Sequence, residues 1–148
     1  MRKGGVTLAA VLAVAAVTVS IVGVGPAPAR SSSRQAKSTT VTATEIEWQI
    51  KLSTASVHAG KITFVVKDTG KLAHQFIVLR TSRPGKKLPL KGTQVNLPLA
   101  GKVMGKVLSL TPGKSAKETV TLAAGPYVLL CNLPAHYMSG QWAAFRVT

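Results

Sequence analysis

Gly125-Pro126-Tyr127-Val128-Leu129-Leu130-Cys131-Asn132-Leu133-Pro134-Ala135-His136-Tyr137-Met138-Ser139-Gly140-Gln141-Trp142 places a strand, a loop and the start of a second strand in one continuous run. Tyr127 to Cys131 is apolar and opens after a Gly-Pro turn, and Gln141 to Val147 follows with the same character, so both are predicted strands. Tyr127 and Phe145 share parity with Leu129 and Val147, which assigns all four to a core. The loop between the strands carries a thiol and, five residues later, an imidazole.

Working outward, Ile46, Trp48, Ile50 and Leu52 alternate with Glu45, Glu47, Gln49 and Lys51, the period-two signature of a strand with one face in water. Lys61 to Lys67 repeats the pattern with Ile62, Phe64 and Val66 and ends at the turn signal Asp68-Thr69-Gly70. His74 to Leu79 and Thr119 to Leu122 supply further strands, and Thr111-Pro112-Gly113 marks a turn. No window carries a helical stripe. Short strands punctuated by Gly and Pro predict an all-β domain, a Greek-key β-sandwich or small barrel. Arg80 to Gly101, with Arg83, Lys86, Lys87 and Lys91 among its prolines and glycines, reads as a long basic loop or a short edge hairpin.

The chain has 148 residues, 46% of them hydrophobic, enough for one core and too many for a disordered basic tail. Met1 to Ala29 opens with Arg2 and Lys3, continues apolar from Val6 to Val24 and closes on Ala27-Pro28-Ala29, the pattern of a cleaved signal peptide. Left uncut, residues 6–24 form a poor membrane anchor, since a span needs about 20 apolar residues and this run is rich in Ala, Gly, Thr and Ser. Residues 30–40, rich in Ser, Thr and Lys, read as a flexible linker, and 41–148 as the folded domain. Export places that domain in the periplasm or outside the cell. Lys and Arg number 19 against 4 acidic residues, a net charge of +15, so an anionic partner is expected. Nucleic acid is excluded by export and by the scarcity of aromatics for stacking on bases.

Cys131 is the only cysteine, so this chain makes no internal disulfide and no all-cysteine metal cluster. Cys131 and His136 on one loop, with His74 at the start of a strand 57 residues before Cys131, make a thiolate and two imidazoles, and a Met or Gln beyond them offers a weak fourth donor. That donor set suits a blue-copper electron-transfer site. A soft thiolate and two imidazoles drawn from a stiff sandwich relax little between Cu(II) and Cu(I), which favours fast electron exchange.

Gly125-Pro126-Tyr127 through Cys131, then Pro134-Ala135-His136 and Gly140, resembles the copper loop of the cupredoxins, whose pattern is Gly-x-Tyr, Cys, Pro-Gly-His and Gly-Met. Ala59 to Val66 followed by Thr69 to Phe76 is similar to the cupredoxin strand pair that ends in the first histidine ligand, and Leu110 to Ser115 to the turn before the last strands. The resemblance covers 41–148. It implies a cupredoxin-like sandwich holding one type 1 copper ion, with His74, Cys131 and His136 as equatorial ligands. Where the family commonly has Met after the glycine this chain has Gln141, which implies a stellacyanin-like axial amide and a lowered reduction potential; Met138 is the rival axial donor. Ala135 stands where the family usually has Gly, and costs on the order of 1 kcal/mol if that backbone needs a positive φ.

The resemblance implies an exported electron carrier, not an enzyme, passing electrons through the edge of His136 within an apolar ring of Leu133, Pro134 and Ala135. A transient acidic redox partner, a cytochrome or copper oxidase, fits the basic surface. The alternative is a copper module for storage, delivery or resistance without redox turnover. Glu45, Glu47, Asp68 and Glu118 show no catalytic pairing in the sequence, and His58, beside Ala59-Gly60, reads as a solvated imidazole.

Overall fold

A computed structural model describes residues 38–148, together with Gly4. The signal segment 1–29, its apolar run 6–24 and residues 30–37 of the linker lie outside the described residues. No helix among the described residues is long and apolar enough to cross a membrane.

The chain from Thr39 folds as strands β1 (Thr39–Ile46), β2 (Gln49–Leu52), β3 (Ser56–Val57), β4 (Gly60–Asp68), β5 (His74–Arg80), β6 (Leu90–Lys91), β7 (Gln94–Val95), the short helix α1 (Leu97–Ala100), then β8 (Lys102–Leu110), β9 (Ser115–Leu122), β10 (Gly125–Leu130) and β11 (Trp142–Val147). One sheet has the order β2-β1-β4-β9 and the other β3-β11-β10-β5-β8. The crossovers between them make the Greek-key sandwich that the alternation predicts. β1 runs parallel to β4 and β3 parallel to β11, and the remaining neighbours within the two sheets are antiparallel.

Ile62, Phe64 and Val66 from β4 meet Phe76 and Val78 from β5, Tyr127 and Leu129 from β10, and Phe145 and Val147 from β11, all buried. The ring of Phe64 lies 5.3 Å from Phe76 and 5.4 Å from Phe145, in the tilted and edge-on geometries that aromatic rings prefer. This core fixes β5 and β10 side by side, which brings His74 and Cys131 to the same end of the sandwich.

Two sequence expectations need correction. The run from Glu45 to Leu52 is a hairpin, not one strand: β1 and β2 pair antiparallel with Ile46 opposite Gln49. Val41, Ala43 and Glu45 therefore point inward together, so Glu45 is wholly buried and Trp48, at the turn, is exposed. β8 was not foreseen, because it pairs with β5 through register shifts at His74/Phe76 and Val78/Leu79 that break the two-residue period. The turn into β9 follows expectation: Gly113 adopts φ +74° and the Lys114 N–H donates to the Thr111 carbonyl at 3.0 Å.

The basic excursion after β5 is neither a free loop nor a simple edge. Leu88 before its β6–β7 hairpin, Val95 on β7 and Ala100 on α1 lie over Ile77, Leu79, Val128 and Leu130, forming a second apolar cluster on the outer face of the five-stranded sheet. β5 and β10 are thus covered on both faces.

Candidate metal centre

His74 opens β5, Cys131 directly follows β10, and His136 stands on the turn before β11. One donor atom from each lies within 4.8 Å of the other two. Cys131 is wholly buried, His74 is 1% exposed and His136 is partly exposed. The Cys131 Sγ is 3.4 Å from His136 Nδ1, and the two imidazole rings stand 5.3 Å apart.

Backbone hydrogen bonds set this arrangement. The Gln75 N–H donates to the Cys131 Sγ at 3.2 Å, tying the start of β5 to the ligand loop. The Cys131 N–H donates to the Gln141 carbonyl and the Gln141 N–H to the His136 carbonyl, so Gln141 is fastened to both Cys131 and His136. Ala135 takes φ +66°, the left-handed conformation for which the loop pattern prefers glycine. Gly140 adopts φ +111°, a conformation that favours glycine, and a Cβ there would stand 3.1 Å from the Trp48 carbonyl oxygen, a tight contact.

The excursion grips the residues next to Cys131 and His136. Asn132 accepts from the Val95 N–H at 2.7 Å and donates to the Val95 carbonyl, and the Ala135 N–H donates to the Thr93 carbonyl. The Tyr137 hydroxyl donates to the Gly85 carbonyl at 2.5 Å and accepts from the Leu88 N–H at 3.0 Å. Trp142 packs its ring on Gly85, outside the triad.

Two carboxyls that sequence reasoning set aside border the site. Glu47 Oε1 accepts from the Lys71 and Leu72 N–H groups at 2.6 and 2.7 Å and lies 3.6 Å from His74 Nε2. Those N–H groups, with the nearby histidine, hold its carboxyl down at about 2. Glu45 is buried opposite Asp68 across β1 and β4 and accepts from Gln141 Nε2 at 2.5 Å. Burial pushes its carboxyl up to about 8; the Asp68 charge adds to the rise and the Gln141 hydrogen bond opposes it. Burial likewise raises the Cys131 thiol and lowers His136, the latter with help from His74.

The remaining candidates divide. Gln141 is wholly buried, and Met138 is 56% exposed. Leu133, Pro134 and Ala135 flank His136 with partial or full exposure, and Trp48 meets the His136 ring edge-on at 5.1 Å. His58 is exposed and pairs with Thr148, away from the triad. Trp48, Glu45 and Glu47 were missed because their hairpin was read as a continuous strand. The signal available was the scarcity of acid: 4 carboxylates in a chain this basic invite the question of what each one does.

The residues fit copper. His74 has no hydrogen-bond partner at either ring nitrogen although it is buried, and Gln141 Oε1 is likewise without one, so unpartnered imidazole and amide donors stand beside the Cys131 thiol and the His136 ring, the donor types that suit copper.

No family model matches the chain, and no curated protein does. Solved structures do. Reduced auracyanin from the photosynthetic bacterium Roseiflexus castenholzii aligns over 74% of this chain and 97% of its own, at 25% identity and a TM-score of 0.55. Rusticyanin from Thiobacillus ferrooxidans aligns over 76% of this chain and 78% of its own, at 16% identity and a TM-score of 0.61. Auracyanin A, a "blue" copper protein from Chloroflexus aurantiacus, aligns over 76% of this chain and 100% of its own, at 16% identity and a TM-score of 0.54. The fold is therefore that of the cupredoxins. Within it, His74, Cys131 and His136 form a group able to bind one copper ion.

Proposed function

We propose that this chain is an exported type 1 copper protein that carries single electrons between redox partners. The observation that carries the reading is the convergence of a buried thiol, a buried imidazole without a hydrogen-bond partner and a partly exposed imidazole at one end of the sandwich. Copper bound there supplies a one-electron Cu(II)/Cu(I) couple. His74, Cys131 and His136 would hold the ion, with Gln141 as a fourth, weaker donor. Support for Gln141 over Met138 comes from its burial, its unpartnered oxygen and its backbone bonds to Cys131 and His136.

The division of labour follows from burial. His74 and Cys131 keep water from the donor atoms, and both are tied into strands by the core beneath them. His136 is the ligand nearest solvent and the exit for the electron, within the apolar ring of Leu133, Pro134, Ala135 and the indole of Trp48. A small apolar contact of this kind suits a quickly released complex. The basic surface steers an acidic partner, a cytochrome or copper oxidase, to it. Residues 1–29 deliver the domain across the membrane; if they are retained, residues 6–24 anchor it.

Voltammetry of the copper-loaded protein tests this reading. A carrier gives a reversible one-electron wave with fast exchange, weakened by salt when an acidic partner is added. Sluggish or irreversible exchange, with copper retained in one oxidation state, would favour the alternative of storage or delivery.

A further inference from the structure

Gln141 is wholly buried, and the oxygen and nitrogen of its amide have nearly the same shape, so only their partners decide which one faces which way. Its Nε2 lies 2.5 Å from Glu45 Oε2 and 3.2 Å from the Gln49 carbonyl. A backbone carbonyl can only accept, so the longer contact to Gln49 favours the nitrogen on that side, and the shorter contact to Glu45 is the stronger of the two holds. The opposite atom, Oε1, is buried and has no hydrogen-bond partner in the protein.

We propose that Glu45 is the positioning residue for Gln141, turning its amide so that the oxygen is the atom left free for the copper ion. This rests on the reading of Gln141 as the axial donor. An amide oxygen has lone pairs to give a metal, and an amide NH2 has only hydrogens to present. In the flipped amide the oxygen would face the Glu45 carboxyl oxygen and the Gln49 carbonyl, with no hydrogen among the three unless Glu45 supplies one. Glu45 is placed for this task by its strand. β1 pairs on one side with β2, which contributes the Gln49 carbonyl, and on the other with β4. Gln141 is placed by its backbone bonds to Cys131 and His136. An acid buried beside Asp68 serves core packing poorly, and its contact with Gln141 gives it a reason to be there. Glu45 thereby selects the donor atom without touching the metal, as partners of ligands commonly do.

The test uses the full chain loaded with Cu(II), with the copper hyperfine splitting and the reduction potential as readouts, in wild type, Gln141→Leu, Glu45→Leu and Glu45→Gln. Gln141→Leu should shift both readouts. Glu45→Leu should shift the splitting toward that of Gln141→Leu, and Glu45→Gln, which keeps an acceptor, should retain the wild-type splitting. A wild-type splitting in Glu45→Leu beside a shifted Gln141→Leu would overturn the role of Glu45 and leave the axial reading standing. No shift in Gln141→Leu would overturn the axial reading, and the role of Glu45 with it. A measurement on the unsubstituted copper-free protein guards against a variant that does not fold: the Gln141 side-chain amide protons should be slow to exchange. Rapid exchange there would mean that the Glu45 hydrogen bond does not exist.

Discussion

The indole of Trp48 meets the imidazole of His136 edge-on, ring centroids 5.1 Å apart and planes at 87°. The contact joins the tip of the β1–β2 hairpin to the loop before β11 and covers part of His136, the residue of the triad that reaches solvent. Burial is the largest cause of the lowered His136 pKa. Trp48→Ala should therefore move His136 back up toward the ordinary histidine value in the copper-free protein, read by proton resonance of the ring. An unchanged titration would mean that the indole does not shield it.

The excursion between β5 and β8 secures the loop at the residues that follow Cys131 and His136. Removing the Tyr137 hydroxyl strands the Leu88 N–H and the Gly85 carbonyl in a buried setting. Tyr137→Phe should cost about 2 kcal/mol in denaturant unfolding of the copper-free protein. A loss below about 0.5 kcal/mol would mean that these two bonds contribute little.

At Ala135 the left-handed backbone reverses the usual effect of glycine. Ala135→Gly should be neutral or stabilising, because relief of roughly 1 kcal/mol of strain offsets the added freedom of the unfolded chain. Ala135→Val, β-branched at the same φ, should destabilise by more than about 1 kcal/mol. Equal losses in both variants would show that the loop does not need that conformation.

Glu45 and Glu47 give the copper-free protein opposite pH dependences. Glu45 titrates near 8 when folded against 4.5 as its reference, so the folded state binds more protons between those values and stability falls as pH rises through the window. Glu47 titrates near 2, so its contribution is present above 4.5 and is lost as pH falls toward 2. Melting temperatures of wild type and Glu45→Gln should converge at low pH and separate between pH 5 and about 8. Parallel curves would remove Glu45 as the source of that slope.

Much of this was legible in the sequence. The alternation of Ile62, Phe64 and Val66 on β4, and of Phe145 and Val147 on β11, assigned the core facing because each of these strands lies between one wet and one dry side, whereas β10, buried on both faces, was readable as a continuous apolar run. The spacing of Cys131 and His136 was readable because a loop ligand pair is local. Glu45 was not readable. Its parity depends on a reversal at Glu47 and Trp48, and an acid on the dry face contradicts the rule that located the other strands. The grip of Asn132 and Tyr137 on the excursion was hidden for another reason: these bonds join residues 37 to 52 positions apart in the chain, which no local pattern encodes.

If Cys131, His74 and His136 hold one copper ion through a thiolate bond, the Cu(II) form of the protein is intensely coloured. Adding one equivalent of Cu(II) to the copper-free protein and recording its visible spectrum tests it most directly. An intense thiolate-to-copper band that saturates at one equivalent and disappears in Cys131→Ser, with the β fold intact, is the expected result. A colourless complex, or a band that survives in Cys131→Ser, would contradict it.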